Sequence, residues 1–454
     1  MDAFTITGGY PLSGTIRIHG GKNAALPQLA ASLLTDEPIV LHDIPRLDDI
    51  RNMCRLLNEL GVRISGDLES PDAPPGPYRT VALQAVDPTR SHARYDIVRT
   101  MRASISVLGP MLARRGEARV SLPGGCAIGD RPIDIHLRGL RALGAEFRLE
   151  QGDVIARAPG GRLVGGTVFL GGPFGSTVLG TANVMSAATL AEGRTVIECA
   201  ACEPEIADLA VLLNAMGAQI SGAGTPRITI EGVDTLHATT HTVMPDRIEA
   251  GTFMIASAIT RGDVTLENCP LDALLAFVDT LHGAGVSIDV IDQTDPMRAI
   301  CRVRREGDLL PVQVTTQPHP GFATDLQAQL MSLLTLARGN SVITERIFPQ
   351  RFLHVAELSR MGADIHREGA TAVVHGVGEL VGAPVMASDL RASACLVLAG
   401  LASTGTTTVN RVYHIDRGYE QIERMLQALG AEIQRVEVVT KTTSVEAQAE
   451  RMAG

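Results

Sequence analysis

One short phrase recurs six times along the chain: a leucine, two variable residues, an apolar residue, glycine, alanine or valine, one residue, then isoleucine or phenylalanine. The copies lie at 57–64, 140–147, 213–220, 281–288, 358–365 and 426–433. Their glycines (Gly61, Gly144, Gly217, Gly285, Gly362 and Gly430) stand roughly 70 to 85 residues apart, too regular for chance. Each copy reads as a helix end, a glycine free to take the left-handed conformation that closes helices, and a strand starting at once. A second phrase alternates with the first, with a polar opening followed by small and apolar residues at helical spacing. Its copies begin at Lys22, Asp96, Ser176, Asp246, Thr324 and Ser388. Their alanine-rich composition predicts helices buried nearly all round. Thr324 with Gln327 reads as a capping box, which places Asp325 in a first helical turn. The pattern predicts an α/β fold of six like units, three to each half.

Three similar buried helices in each half have a physical consequence. If they run parallel, their positive ends gather at one end and favour anions there. Two such halves face to face make a cleft fit for phosphates.

At 454 residues the chain is too long for one ordinary core and suggests two domains. The opening MDAFTITGGYPL has no basic leader or apolar run, and the longest uncharged stretch, 163–191, is broken by Pro173 and many glycines. No membrane span is expected. Seven scattered cysteines fit a reducing cytoplasm better than a disulfide scaffold. A net charge of −10 argues against nucleic-acid partners. An anionic ligand would therefore require basic groups gathered locally against the overall field.

The units diverge most at 122–136, LPGGCAIGDRPIDIH, where glycines surround Cys126 and prolines mark the edges. Such a stretch reads as a functional lid, with Cys126 near Arg131 as a nucleophile or acid; the plainer alternative is a small buried hydrophobe. Most of Lys22, Arg99, Arg102, Arg131, Arg351, Arg391 and Arg417 lie beside the first turn of a buried helix or in the loop before it. Arg102 and Arg391 fall within apolar helices, where an unpaired charge costs several kcal/mol, so a ligand or an acidic partner should meet them. Asp246, Asp325 and Asp389 recur at helix starts, where plain N-terminal stabilisation of about 0.5–1 kcal/mol is the better account of each. Other patterns fail. Ile16 and Asn23 break the phosphate-loop spacing around Lys22, and Cys199 with Cys202 is a lone CxxC, so no metal site is expected.

Eight stretches taken in order carry a resemblance: GGKNAALP at 20–27, YDIVRTMRAS at 95–104, LPGGCAIGDRPID at 122–134, PDRIEAGT at 245–252, TDLQAQ at 324–329, RFLHVAELSRMGA at 351–363, SDLRASACLVLAG at 388–400 and YHIDRGYE at 413–420. Over roughly residues 3–436 the chain resembles the enolpyruvyl transferase family, most closely its branch acting on UDP-N-acetylglucosamine. The resemblance implies a two-domain inside-out α/β barrel of six repeats, three per domain, with the active site in the interdomain cleft. The chain would cross between domains twice: 1–21 would join 245–437, and 22–244 would form the lid-bearing domain. The tail 438–454 is expected to be disordered.

The implied reaction transfers the enolpyruvyl group of phosphoenolpyruvate to the 3-hydroxyl of UDP-N-acetylglucosamine by addition and elimination. Phosphate is released, in the first committed step of peptidoglycan precursor synthesis. No cofactor is implied, the location is cytoplasmic, and the oligomeric state is left open. Carried over residue by residue, Lys22, Arg131 and Arg417 resemble the phosphoenolpyruvate clamp, with Asn23 and Arg391 beside it. Asn23, Arg102, Arg131, Pro132, Ile133, Asp134, Ile135, Thr177, Asp325, Ile347 and Arg351 would line the nucleotide sugar. Asp325 is similar to the general base, Cys126 to the lid cysteine, and Asp389 to a second acidic group in the proton transfers.

Three departures stand out. Leu179 stands where a small glycine is expected, Asp130 lies in the lid beside Arg131, and 66–90 reads as a proline-rich surface insertion. Leu179 motivates an alternative, a paralogue for another nucleotide sugar. A catalytically silent nucleotide-sugar binder is the alternative from another class.

Overall fold

The computed structural model describes residues 2–66, 79–122 and 133–437. Cys126, Asp130, Arg131 and Pro132 lie outside those residues, as does the tail 438–454. The six recurrent glycines all have positive φ, from 82° at Gly61 to 105° at Gly217, and a strand follows each one. At Gly61 a β-carbon would lie 2.2 Å from the Asp87 carbonyl oxygen, so conformation and space both exclude a side chain.

Among the described residues, six four-stranded sheets share one pattern: a parallel pair, then two antiparallel pairings. The sheet Thr167–Phe169, Arg194–Glu198, Arg227–Glu231 and Gln219–Ser221 is built from one stretch of chain. Three others recruit a distant strand. Thr239–Thr242 lies beside Ile39–His42, and Ser13–Arg17 beside Asp263–Cys269. Asp2–Thr7 inserts between Thr406–Asn410 and Glu432–Glu437. Strands alternate in burial as a half-covered sheet requires; Thr80–Ala85 buries Val81, Leu83 and Ala85.

The helices Lys22–Ala31, Val178–Ala188, Arg247–Ile259, Gln327–Leu334 and Leu390–Ala402 are buried nearly all round. Their alanines let them approach closely, and leucine and methionine fill the space between. Buried hydrophobic residues fall into two clusters, one within 24–244 and the other combining 4–18 with 248–433.

Three expectations need correction. The stretch from Asp96 is not one buried helix. It breaks into Tyr95–Val98, a 3-10 turn Arg102–Val107 and a helix Leu108–Arg115. Pro110 lies in the first turn of that last helix, where its missing N–H costs no intrahelical hydrogen bond. Thr324 does not form a capping box: both polar side-chain atoms of Gln327 lack partners, and the Thr324 hydroxyl donates instead to Glu345 at 2.9 Å. Nor is 66–90 wholly a surface insertion, since Thr80–Ala85 is a sheet strand and Arg79 forms a buried ion pair with Glu420.

The segments 19–21 and 244–246, which join the stretches of chain that build the two clusters, pair with each other. Gly21 N donates to Met244 O at 2.7 Å and Asp246 N to His19 O at 2.8 Å. A β-carbon at Gly20 would lie 1.8 Å from the Asp43 carbonyl oxygen, so this crossing admits only glycine. His19 is held there by Glu249, its Nδ1 lying 3.1 Å from Oε1. Burial works against its protonation, but Glu249, with Glu420 behind it, outweighs burial and raises its pKa to about 9. A raised histidine stabilises the fold fully below its ordinary value near 6.5, and that contribution is lost as pH rises through about 9. Urea unfolding at pH 6 and pH 9.5 is expected to show a fall on the order of 2–3 kcal/mol more in wild type than in His19→Asn. Parallel pH dependence in the two proteins would contradict it.

Candidate active site

Lys22 opens the helix Lys22–Ala31, and its backbone N–H donates to Asp246 Oδ2 at 3.2 Å. Its Nζ donates to Asp49 Oδ2 at 3.1 Å, while Asp49 Oδ1 accepts from Arg417 Nε at 3.0 Å. One buried carboxylate thus joins cations from both hydrophobic clusters. Burial pushes the Lys22 amine below the ordinary lysine range; Arg391 and Arg417 push the same way, and Asp49 and Asp325 oppose them.

Asp325 lies in the short 3-10 turn Thr324–Leu326 that leads into the helix Gln327–Leu334. One carboxylate oxygen accepts from Arg351 Nη1 at 2.7 Å and the other from Arg391 Nη2 at 2.9 Å. Burial alone would raise its pKa, but the two guanidiniums outweigh burial and hold the carboxyl well below the usual range. Arg391 is 3% exposed, and its Nη1 donates to the Tyr419 hydroxyl at 3.2 Å. That hydroxyl also lies 2.8 Å from Thr252 Oγ1 and accepts from Gln329 Nε2 at 3.2 Å. Tyr419 therefore ties the second turn of Arg247–Ile259 to the first turns of Gln327–Leu334 and Leu390–Ala402. Two helix starts and the second turn of a third thus meet at one hydroxyl.

The three helix-start aspartates divide. Asp246 caps its helix through Ile248 N and Glu249 N at 2.8 and 3.0 Å, and Asp389 caps through Arg391 N and Ala392 N at 2.9 and 3.1 Å. Asp325 caps nothing and spends both oxygens on arginines. Plain N-terminal stabilisation is therefore the wrong account of Asp325 alone.

Arg351 and Ile347 are fixed by a carboxylate with no cation. Glu345, fully buried, accepts from Thr316 Oγ1 (2.7 Å), Thr324 Oγ1 (2.9 Å), Ile347 N (2.8 Å) and Phe348 N (2.9 Å). Arg351 Nη1 also donates to Thr324 Oγ1 at 3.1 Å.

The remaining candidates lie on the half that carries Lys22. Asn23, next to Lys22, is half-buried. Thr177 caps Val178–Ala188, its Oγ1 accepting from Gly180 N at 3.2 Å, and Leu179 is half-buried in the same first turn. Ile133 is buried and Asp134 opens the helix Asp134–Ala142. Ile135 Cδ1 would lie 2.6 Å from a β-carbon at Gly172, and Pro318 Cγ 3.0 Å from one at Gly175, so the hairpin 171–176 lies between 133–135 and the loop at 318. Arg102 opens the turn Arg102–Val107 half-buried; burial, then Arg102, hold His136 down at about 4. Cys126, Arg131 and Pro132 lie outside the described residues.

Asp49, Tyr419 and Glu345 were not singled out from sequence. A signal for Asp49 was present, since it shares the apolar stripe of Asp48–Glu59 with Met53, Leu56 and Leu57. A carboxylate on a buried face demands a partner. Among the described residues, no group of three or more His, Cys, Asp or Glu side chains could hold a metal ion. Among the same residues, no helix is long and apolar enough to cross a membrane.

A sequence profile of the family described as EPSP synthase (3-phosphoshikimate 1-carboxyvinyltransferase) matches residues 6–426. The UDP-N-acetylglucosamine 1-carboxyvinyltransferase of Gluconacetobacter diazotrophicus is 55% identical over 436 residues, covering 96% of this chain and 100% of its own. The protein of the same name from Magnetococcus marinus is 53% identical over 437 residues, with 96% and 100% covered. Among solved structures, the enolpyruvyl transferase NikO from Streptomyces tendae matches with a TM-score of 0.85 at 25% identity, covering 96% of this chain and 99% of its own. An EPSP synthase from Acinetobacter baumannii shares the fold, with a TM-score of 0.71 at 18% identity over 96% of this chain and 100% of its own. The near-complete coverage and the identity above one half place this chain in the EPSP synthase family of enolpyruvyl transferases, among the relatives named UDP-N-acetylglucosamine 1-carboxyvinyltransferase.

Proposed function

We propose that this chain transfers the enolpyruvyl group of phosphoenolpyruvate to the 3-hydroxyl of UDP-N-acetylglucosamine and releases phosphate, the entry step to peptidoglycan precursors. The observation that carries this reading is local: in a chain of net charge −10, Lys22, Arg417, Arg391 and Arg351 gather around two carboxylates. A substrate with a phosphate and a carboxylate suits such a cluster.

In the addition step, the sugar oxygen bonds to C2 of phosphoenolpyruvate as its proton leaves and the methylene carbon gains one. In the elimination step, the new methyl group loses a proton, the C2–O bond to phosphate breaks, and the enol ether forms. Asp325 is assigned the hydroxyl proton. Held ionised by Arg351 and Arg391, it is a weak base, which suffices if the proton moves only as the C–O bond forms and the hydroxyl becomes strongly acidic. Lys22 and Arg417, with Arg131, bind the phosphate and carboxylate; Arg391 and Asn23 stand beside them. Cys126 is assigned the proton for the methylene carbon, or covalent addition to phosphoenolpyruvate, and Asp389 a supporting part in these transfers. Arg102, Thr177, Ile347, Arg351 and residues 131–135 would line the nucleotide sugar.

We further infer two inside-out barrels of three units each, 1–21 with 245–437 and 22–244, with the site between them and a cytoplasmic location. Six sheets of one strand pattern and two separate hydrophobic clusters support that division. Phosphate release by wild type and Cys126→Ala tests the lid assignment. The variant is expected to lose about 10²–10⁴-fold in kcat with UDP-N-acetylglucosamine binding retained. A change below tenfold would remove Cys126 from the chemistry. Leu179, half-buried in the first turn of its helix, favours a second reading, a different nucleotide sugar as acceptor. A higher kcat/KM with another UDP-sugar would establish it.

A further inference from the structure

We propose that Asp49 is the positioning residue of the anion clamp: its buried carboxylate holds Lys22 and Arg417 side by side, from the two halves of the chain, leaving their remaining N–H groups for one shared anion. The geometry carries this. Asp49 is 2% exposed and spends one oxygen on each cation, at 3.1 Å to Lys22 Nζ and 3.0 Å to Arg417 Nε. An ammonium has three donors and a guanidinium five, so each cation keeps most of its donors after meeting Asp49. Arg417 is bound through Nε, which leaves its terminal amines outside the pair, and its side chain is 37% exposed. An arriving phosphate or carboxylate therefore has no need to displace Asp49. Two long cationic side chains would otherwise lose rotamer freedom on binding the anion, and here the fold has already fixed them.

Asp49 lies in the first turn of Asp48–Glu59, and the neighbouring Asp48 N–H donates to Asp416 O at 3.1 Å. The helix that carries the carboxylate is thus tied to the segment that carries Arg417. The identity of the anion as phosphoenolpyruvate rests on the functional reading above; the pairing itself does not.

The charged groups around the Lys22 amine are Asp49 on its own half and Asp325, Arg391 and Arg417 on the other, with Asp246 on its backbone N–H. Removing Asp49 leaves burial and two arginines against protonation, so the amine loses its proton at lower pH. A purely structural Asp49 would not, on removal, raise KM for phosphoenolpyruvate while sparing KM for the nucleotide sugar.

The test uses full-length Asp49→Asn and Asp49→Glu, with melting curves confirming folding, and measures steady-state kinetics and calorimetric titration with inorganic phosphate. Asp49→Asn is expected to raise KM for phosphoenolpyruvate at least about tenfold, leave KM for the nucleotide sugar within about twofold, and move the basic limb of kcat/KM to lower pH. Asp49→Glu keeps the charge but displaces it by one methylene, so the basic limb should stay in place while KM for phosphoenolpyruvate still rises. An unchanged or lower KM in Asp49→Asn would overturn the proposal and make Asp49 a competing anion, and an unmoved basic limb would also overturn it. If Asp49→Asn does not fold, Asp49→Glu decides, and a KM within about twofold of wild type overturns the proposal. If wild type releases no phosphate with the sugar, the functional reading fails. Phosphate affinity by calorimetry then still decides Asp49: weaker in the variants supports it, and equal overturns it.

Discussion

Replacing Asp325 by asparagine is expected to slow sugar-dependent phosphate release by about 10²–10⁴-fold, the scale on which a positioned proton acceptor contributes. The substitution keeps the shape of the side chain but removes its charge, and it leaves one accepting oxygen where the two arginines each use a different one. Its NH2 group must point at either Arg351 or Arg391, which are 6% and 3% exposed. Both buried guanidiniums then lose their anionic partner and keep the Thr324 and Tyr419 hydroxyls, a loss of about 3–5 kcal/mol where a buried pair is broken. Activity and stability should therefore fall together, and the pH dependence separates them. The depressed Asp325 carboxyl contributes stability that is present above its ordinary value near 3.8 and lost as pH falls through its lower folded value. Acid unfolding of Asp325→Asn should lack that arm. A variant with unchanged acid unfolding and near-normal phosphate release would show that Asp325 is neither held nor used as described.

Lys22→Met is expected to cost about 10²–10³-fold in kcat/KM for phosphoenolpyruvate, the scale measured when a preorganised cationic or hydrogen-bonding group is removed from a developing charge. Methionine retains most of the stem, so the helix Lys22–Ala31 should still pack; the loss lies in the charge. Lys22→Arg is not expected to rescue it. A planar fork needs more room than an ammonium in a site where Lys22 is only 7% exposed and already carries Asp49. Binding of the nucleotide sugar alone, followed by calorimetry, should survive both changes. Full activity in Lys22→Arg would mean that charge alone, without its fixed position, is what this residue supplies.

The unit was legible in the sequence because its signals are local. A left-handed glycine followed by a strand reads the same in all six copies, and the buried helices announce themselves by small residues on every face. The break before Leu108 escaped because Val98, Met101, Ile105 and Leu108 keep helical spacing straight through it. The candidate site was legible residue by residue through its motifs but not as a constellation. Its pairings join separate segments, from 26 residues apart for Asp325 and Arg351 to 368 for Asp49 and Arg417. Asp325 shows the same limit. As an acidic residue at a helix start it looked like Asp246 and Asp389; the resemblance alone set it apart in the sequence, and in the structure its two arginines do so physically.

The central claim is the transfer itself, and NMR of one reaction tests it most directly. Wild-type protein with phosphoenolpyruvate and UDP-N-acetylglucosamine should release inorganic phosphate in step with a new nucleotide sugar whose vinyl protons sit on an ether at the sugar 3-position. Phosphate appearing without the sugar, pyruvate in place of the enol ether, or no consumption of phosphoenolpyruvate would contradict the account.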